Sequence, residues 1–553
     1  MTAREAHKER TGSPPTLTEN QVAVSRQTGN PRVLILSTLL LVGLAVQVAM
    51  LASHRIHWSS DEAIVGLMAR HMLHGIRYPA FYYGSSYAGT LESTFMAAVF
   101  SVAGASVASY RASLMILLAL LSLIVYWTGR RVFGDASALI AVAYLSVPPF
   151  YFLYKGLTSD GAYLSLAVLG AGLLYGAVRL DESEEKGGKS LRWFALIGFL
   201  AGLGWWVMTP LIVSFDIAIL IWFAIVRPRV FLGARRYFVF VAAFLLGSIR
   251  WWWANVGKGW PSLHDPAYER VSSLGAAARG FLKFFTVGIS WLLGARPSPN
   301  RDELFPGASW IVLLVFAGAV LTAVLFALRR GWGLKPEEPR EPSRQARVLL
   351  LLLLSVLSMQ VVVSLSAKTY RMDPRYLYPF YAPFALLFGS SVGLLVRNRR
   401  SRLAAAGLLG GVLAFNGASL LAAPRVDLVT SQPVPVPVTD LIRTLDRLGI
   451  RDVYTSFWTV YRLAFESNER IRAASFGEGM DGITRYHPYE QQVARSSNPG
   501  FVLWGEEAQR FREYLRSRGS PAREARLGVY QIFWGVSPEV AREMAKLRRV
   551  PSE

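Results

Sequence analysis

VLILSTLLLVGLAVQVAMLAS, residues 33–53, runs for 21 residues without a charge. A bilayer core takes about 20 apolar residues at 1.5 Å rise each, so this stretch is long enough to span. The chain then changes character. HRIHWSSDEAIVGLMARHMLHGIRYPAFYYGSSYAGTLESTFMAAVFSVAG, residues 54–104, mixes acids, histidines, arginines and tyrosines before the next apolar run at 109–128. A span followed by a long, chemically dense loop points to a polytopic membrane protein whose chemistry sits at one water boundary.

The rest of the chain fits that reading. Apolar runs recur at 136–154, 162–178, 193–208, 211–226, 237–255, 310–328, 348–366, 376–396 and 403–423, which makes about eleven spans in all. Two of them, 193–208 and 211–226, are parted only by Thr209-Pro210. They read as a tight hairpin, with one long kinked helix as the alternative. Hydrophobic residues make up 52% of the 553 and charged residues 17%, against about 25% charged in an ordinary soluble domain. There is no cysteine. Disulfides, thiolate metal sites and cysteine nucleophiles are thereby excluded.

The net charge of +22 does not indicate nucleic acid, because of where the charges sit. Arg130-Arg131; Lys186, Lys189 and Arg192; Arg227, Arg229, Arg235 and Arg236; Arg329-Arg330; and Arg397, Arg399, Arg400 and Arg402 fall in alternate loops. The positive-inside rule puts all of these loops, and the N-terminus, in the cytoplasm. They also suit anionic headgroups. Residues 1–31 are polar and read as a disordered cytoplasmic tail, not a cleavable signal.

An odd number of spans places the C-terminal part outside. A stiff linker, Gln432-Pro433-Val434-Pro435-Val436-Pro437, ends the membrane part. Beyond it, 440–449, 458–466 and 506–518 read as helices, and 451–454, 501–504 and 528–534 as strands. The expected organisation is a tail at 1–31, an all-α membrane domain at 32–424 with interfacial helices within 54–106, a linker at 425–437 and an extracytoplasmic α/β domain at 438–553.

Within the first loop, Ser59 or Ser60 can cap a helix whose first turn holds Asp61 and Glu62. Ile64, Leu67, Met68 and Met72 lie on one side of it, so it is expected to lie along the interface, ending at Gly75. Tyr78, Tyr82, Tyr83 and Tyr87 follow, an aromatic surface suited to sugar rings or to the headgroup layer. A second apolar helix, 91–102, carries Glu92, whose charge should face a cavity.

An acidic pair just after the first span, followed by interfacial helices, resembles the GT-C glycosyltransferases. More narrowly it is similar to the protein O-mannosyltransferase and aminoarabinose–lipid A transferase group. Tyr110-Arg111, Thr158-Ser159-Asp160, GFLAGLGWWVMTPLI (198–212) and DPRYLYPFYAPF (373–384) continue the resemblance, in order, over residues 33–425. One departure stands out. Many relatives carry Lys-Pro-Pro or His-Pro-Pro in the first loop, where this chain has Gly84-Ser85-Ser86-Tyr87-Ala88-Gly89.

The resemblance implies a hexosyl- or pentosyltransferase that takes a polyprenyl-phosphate sugar as donor. The acceptor would be a glycolipid, a cell-envelope glycan or a protein at the outer face of a bacterial inner membrane. Asp61 matches the catalytic acid and is assigned as base. Arg375 is the first choice for the donor phosphate, with Arg111 and Lys155 behind it. Glu62, Tyr83, Tyr87, Glu92, Asp160 and Tyr376 are expected to contact substrate.

Each residue also has a plainer reading. Asp61 and Glu62 suit a helix N-terminus, and Asp160 a helix cap. Arg111, Lys155 and Arg375 could anchor spans by snorkelling. His54/His57 and His71/His74 sit at helical spacing but repeat no metal signature, so no metal ligand is assigned and a divalent ion is left unsupported. A transporter or lipid flippase, and a non-catalytic glycan-presenting protein, are the rival classes. A transporter would want polar groups at mid-membrane, and Asp216 is the exception that offers one.

Overall fold

The computed structural model describes residues 31–158, 162–188, 190–265, 269–297, 302–331, 342–366, 373–397, 399–423 and 438–549. The tail up to residue 30, the linker at 425–437 and Asp160 lie outside the described residues. The membrane part opens with α1 (Pro31–Ala52) and then two loop helices, α2 (Ser60–Leu73) and α3 (Leu91–Ala103). Next come α4 (Val107–Phe133), α5 (Asp135–Ser146), α6 (Phe150–Leu157), α7 (Tyr163–Glu185), α8 (Leu191–Val226) and α9 (Ala234–Asn255). α10 (Leu274–Lys283) runs through a wide turn into the short α11 (Ile289–Leu292). α12 (Ala308–Gly331), α13 (Arg344–Leu365), α14 (Tyr381–Arg397) and α15 (Arg402–Ala422) complete this part.

Among the described residues nine helices are long and apolar enough to cross a membrane, or ten if α5 and α6 form one broken span. The sequence reading took 136–154 as a continuous span. The two helices instead meet at 72° across Val147-Pro148-Pro149. Proline lacks the N–H that would continue the helix, and it biases the residue before it toward extended backbone.

α8 is a hairpin, as its Thr209-Pro210 break suggests. Met208 leaves helical geometry at φ −166°, ψ 86°. A Cβ on Gly204 would run into Ile212, yet residues eight apart on a straight helix stand about 12 Å from each other. The two ends of α8 lie on one face of the bundle, where Arg227 meets Asp181 of α7. Its tip lies on the other face, where Val207 O accepts from Gly89 N and Trp206 Nε1 donates to Ala80 O. Counting its two arms separately, with the broken span, gives the eleven passes expected.

The face opposite the first loop is laced with ion pairs. Arg131–Glu182 (2.9 Å), Arg236–Glu184 (3.0 Å), Arg344–Glu185 (2.7 Å) and Arg130–Asp135 (3.0 Å) are partly exposed. Pairs of that kind contribute little each. Asp181 differs, because its side chain is fully buried. Its Oδ2 accepts from Arg347 Nη2 at 2.8 Å and Nε at 3.1 Å, and its Oδ1 from Arg227 Nε at 3.1 Å. One carboxylate thus ties α7 to α13 and to the end of the hairpin.

The C-terminal part is an α/β unit, as expected. Its elements are α16 (Val438–Arg447), β1 (Asp452–Thr455), α17 (Phe457–Glu466), β2 (Arg472–Ser475), α18 (His487–Ala494), β3 (Gly500–Leu503), α19 (Gly505–Ser517), β4 (Arg523–Leu527), β5 (Tyr530–Trp534) and α20 (Pro538–Leu547). The sheet order is β2-β1-β3-β5-β4, with β2, β1 and β3 parallel and β5 and β4 antiparallel. Sequence patterning missed β2, β4, α18 and α20. β2 reads only RAAS, and β4, REARL, is an edge strand with charges facing water.

α2, expected to lie along the interface, is enclosed by protein: Ser60, Glu62 and every residue from Ala63 to Met72 are buried. The helix lies between α3 and α17. Gly66 is the contact point, where a Cβ would meet the Phe465 ring at 2.7 Å. The polar residues of α2 face protein instead of water, which is why its apolar stripe misled.

Removing the Asp181 carboxylate takes the buried acid from Arg347 and Arg227 and leaves Arg347 with Glu185 at 3.3 Å. Asp181→Ala should cost roughly 3–5 kcal/mol, the usual toll for breaking a buried pair on one side. Thermal unfolding in detergent checks this. A melting temperature equal to the parent's would show that the node does not brace the bundle.

Candidate active site

The first loop is held at its start by a capping box. Ser59 Oγ accepts from Asp61 N at 3.2 Å, and Glu62 Oε2 accepts from Ser59 N at 2.8 Å and from the Ser59 hydroxyl. Glu62, expected at substrate, has that oxygen turned back on its own helix start. Asp61 follows the cap by two residues and is partly exposed. Its backbone carbonyl accepts from Tyr82 Oη at 2.8 Å. The tyrosine loop thus closes over the start of α2.

Arg111 fixes this loop to the bundle. It is buried and donates to Leu157 O at the end of α6 and to His57 O at 2.8 Å. Trp58 stands edge-on to Tyr110 at 4.8 Å, and the guanidinium lies 5.4 Å from the Trp58 ring. At least part of its donor capacity therefore positions backbone.

The other expected phosphate contacts gather beyond Leu157. Lys155 Nζ is 5.1 Å from the Tyr163 ring, Tyr163 is edge-on to Tyr376 at 5.8 Å, and Arg375 lies 5.2 Å from the Tyr376 ring. Arg375 is half-exposed and paired with Asp373 at 2.7 Å, so a phosphate would have to share it or displace that acid. Glu92 is buried and accepts from Ser165 Oγ at 2.8 Å, two residues along α7 from Tyr163. Arg111, Lys155, Glu92, Tyr376 and Arg375 thus form one neighbourhood around the α6–α7 junction. Asp160, within that junction, lies outside the described residues.

Tyr83 belongs elsewhere. Its hydroxyl meets His71 Nδ1 at 2.8 Å, and its ring stacks on Tyr486 at 4.7 Å. Tyr87 is half-buried against the core. His71 Nε2 meets Glu469 Oε2 at 3.1 Å, and Tyr489 Oη donates to the same oxygen at 2.7 Å. Arg70 donates to Phe465 O at 2.9 Å and lies 3.8 Å from Glu469. Among the described residues no group of three or more His, Asp or Glu converges on a metal position.

Sequence reasoning missed Glu469, Tyr486 and Tyr489, which reach the first loop from some 400 residues away. The run Arg485-Tyr486-His487-Pro488-Tyr489 was the only local signal, a dense basic and aromatic stretch in an otherwise ordinary soluble segment. A cavity of 820 Å³ opens where this run meets the tyrosine loop and the end of α9. Tyr83 lines it and Asp61 does not. A smaller apolar cavity of 260 Å³ holds Asp216 beside Arg236 near the opposite face.

The chain combines a helical membrane frame, a long helical first loop and a soluble unit on that loop's face, a fold with solved counterparts. The crystal structure of ArnT from Cupriavidus metallidurans bound to undecaprenyl phosphate is similar, with a TM-score of 0.55 at 14% identity over 91% of this chain and 98% of that one. Its apo form has a TM-score of 0.55 at 12% identity over 90% and 98%. The Archaeoglobus fulgidus oligosaccharyltransferase in complex with Zn and sulfate overlaps more loosely, at 0.48 and 13% identity over 91% and 73%. No protein-family model and no curated protein sequence matches the chain.

Glu469 carries a pH prediction. Burial pushes its carboxyl up, but hydrogen bonds from His71 and Tyr489 and the charges of His71 and Arg70 outweigh burial and leave it below its ordinary 4.5. A carboxylate depressed in the fold stabilises above its unfolded value and loses that stabilisation as pH falls through its folded value. The parent should therefore melt above Glu469→Gln at about pH 5, and the gap should shrink below about pH 4. A gap that widens on acidification would overturn the assignment.

Proposed function

We propose that this protein is an integral-membrane glycosyltransferase that moves a sugar from a polyprenyl phosphate to an acceptor hydroxyl at the outer face of a bacterial inner membrane. The observation that carries the reading is the grouping of Arg111, Lys155, Tyr376 and Arg375 beside the loop that presents Asp61, on a GT-C frame. The ArnT structure of the same fold was solved with undecaprenyl phosphate. The arginine-rich face is assigned to the cytoplasm by the positive-inside rule, so the first loop and the α/β unit face outward.

In the proposed reaction the acceptor oxygen attacks the anomeric carbon while the bond from that carbon to the phosphate oxygen breaks. The acceptor proton passes to the Asp61 carboxylate, and the polyprenyl phosphate leaves with the electron pair of the broken bond. Direct displacement inverts the anomeric centre. Arginine suits the departing phosphate because its planar fork can donate two charge-assisted hydrogen bonds. Lys155 supplies a compact charge behind Tyr163. Arg375 and its partner Asp373 are both half-exposed, so a phosphate can compete for the guanidinium.

A positioned base is worth about 10²–10⁴-fold in rate. Asp61→Asn should therefore lose at least about 100-fold in glycosyl transfer while its melting temperature stays near the parent's. Mass spectrometry of membrane glycolipids from cells carrying parent, variant or neither gives the readout. A one-sugar mass difference present with the parent and absent with the variant is expected. Full activity in the variant would remove Asp61 from the mechanism.

A further inference from the structure

Asp216 has no part in the chemistry described above. It stands on the second arm of α8, ten residues from the end of that helix. At 1.5 Å rise per residue it lies about 15 Å from the arginine-rich face, near the middle of a bilayer core. Its side chain is half-buried, and among the described residues it makes no hydrogen bond or ion pair. Arg236 lines the same 260 Å³ cavity, but it is already paired with Glu184 at 3.0 Å. Hydrocarbon offers a carboxyl no solvation, so ionisable groups at this depth meet a partner or serve a ligand.

The surroundings of Asp216 narrow what meets it. The cavity lies between the second arm of α8 and α9, backed by Phe194 of the first arm. Its rims face outward. Leu220, one turn along from Asp216, is 58% exposed, and Tyr237 and Val241 of α9 are 49% and 48% exposed. Each rim continues by another helical turn, to the exposed Ala224 on α8 and the exposed Leu245 on α9. Two lipid-facing rows at i,i+4 spacing thus border one groove along the spans, and Asp216 is the acid that lines it. Such a groove has the form of a seat for another helix, read by one polar group part-way along.

We propose that a transmembrane helix of a partner protein lies in this groove and presents a lysine or arginine to Asp216. The carboxyl supplies the charge complementarity, and the exposed rows supply the packing surface. A second copy of this chain does not fit. Every Lys and Arg in its nine long helices stands near a helix end, with Arg179, six residues from the end of α7, the farthest in. An acyl chain fills an apolar groove but leaves the carboxyl unmet. An unmet acid also rejects helices without a cation, which makes the contact selective. The proposal does not rest on the transferase reading.

The test uses the full chain in phosphatidylcholine vesicles. The chain has no cysteine, so Leu232→Cys, at a 74% exposed position next to the cavity-lining Phe231, gives a single labelling site for energy transfer. The probes are three dye-labelled Leu-Ala transmembrane peptides that differ in one central residue: lysine, leucine or aspartate. The lysine peptide should associate about tenfold more tightly than either of the others, the size of one interhelical polar contact in model peptides. Asp216→Asn should bring it down to the leucine level. Val241→Trp, which crowds the opposite rim and leaves the acid in place, should weaken the lysine peptide as well, and it keeps the test open should Asp216→Asn fold poorly. Equal binding of the lysine and leucine peptides, equal binding of the aspartate peptide, or a lysine preference unchanged in either folded variant overturns the proposal. Energy transfer between differently labelled copies of the chain that Asp216→Asn abolishes would give the groove to self-association. Displacement of the lysine peptide by dodecylamine at equal mole fraction would give it to a cationic lipid. Either result also overturns the partner helix.

Discussion

A carboxylate from the soluble unit, Glu469, is held between Arg70 and His71 of the first loop and Tyr489 of its own unit. The placement of the candidate site depends on that contact. α2 carries Asp61 at one end and the arginine–histidine pair at the other. A helix with so little exposed surface would pay heavily to bury Arg70 unpaired. Here Arg70 meets Glu469, donates to the last turn of α17 at Phe465 O, and lies over the Phe465 ring at 4.4 Å. Cations at helix C-termini are favourable, so one side chain satisfies a charge, a carbonyl and a ring together. The α/β unit therefore fixes where the acid end of α2 points.

The two faces of the bundle are stabilised by different means. On the arginine-rich face Asp181 gathers Arg347 and Arg227, and the surrounding acids pair with other arginines. On the loop face, backbone contacts dominate: the hairpin tip accepts from Gly89 N, Trp206 donates to Ala80 O, and Arg111 donates to two carbonyls. Such contacts hold loop geometry without using up carboxylates.

Much of the frame was legible in sequence because span length and loop charge are local properties. The hairpin was readable from Thr209-Pro210 flanked by two short apolar runs, and the capping box from Ser59 and Glu62. Pro148-Pro149 carried the broken span in plain view, but unbroken hydropathy over 136–154 masked it. The burial of α2 was not legible. Its partner α17 is nearly 400 residues away, and a helix wrapped by protein shows the same apolar stripe as one lying on lipid. Within the candidate site, Arg111, Lys155, Glu92, Tyr376 and Arg375, singled out from separate motifs, lie around the α6–α7 junction. Tyr83 was assigned by proximity in the chain, although its hydroxyl is turned to His71 and its ring to Tyr486.

Tyr82 joins the two halves of the loop face. Its hydroxyl donates to the Asp61 carbonyl, while its ring forms part of the large cavity's wall, with the Arg485 guanidinium 5.8 Å from its centroid. Arg485 in turn follows Thr484 into a segment whose backbone N–H groups, at Arg485 and Tyr486, donate to Tyr461 Oη of α17. α17 is the helix that packs on Gly66 of α2. A closed circuit results, from α2 through Tyr82 and Arg485 to Tyr461 and back to α2 through Phe465. α2 is the member of this circuit that carries Asp61, so the segment around Arg485 and α17 together set where the start of α2 sits.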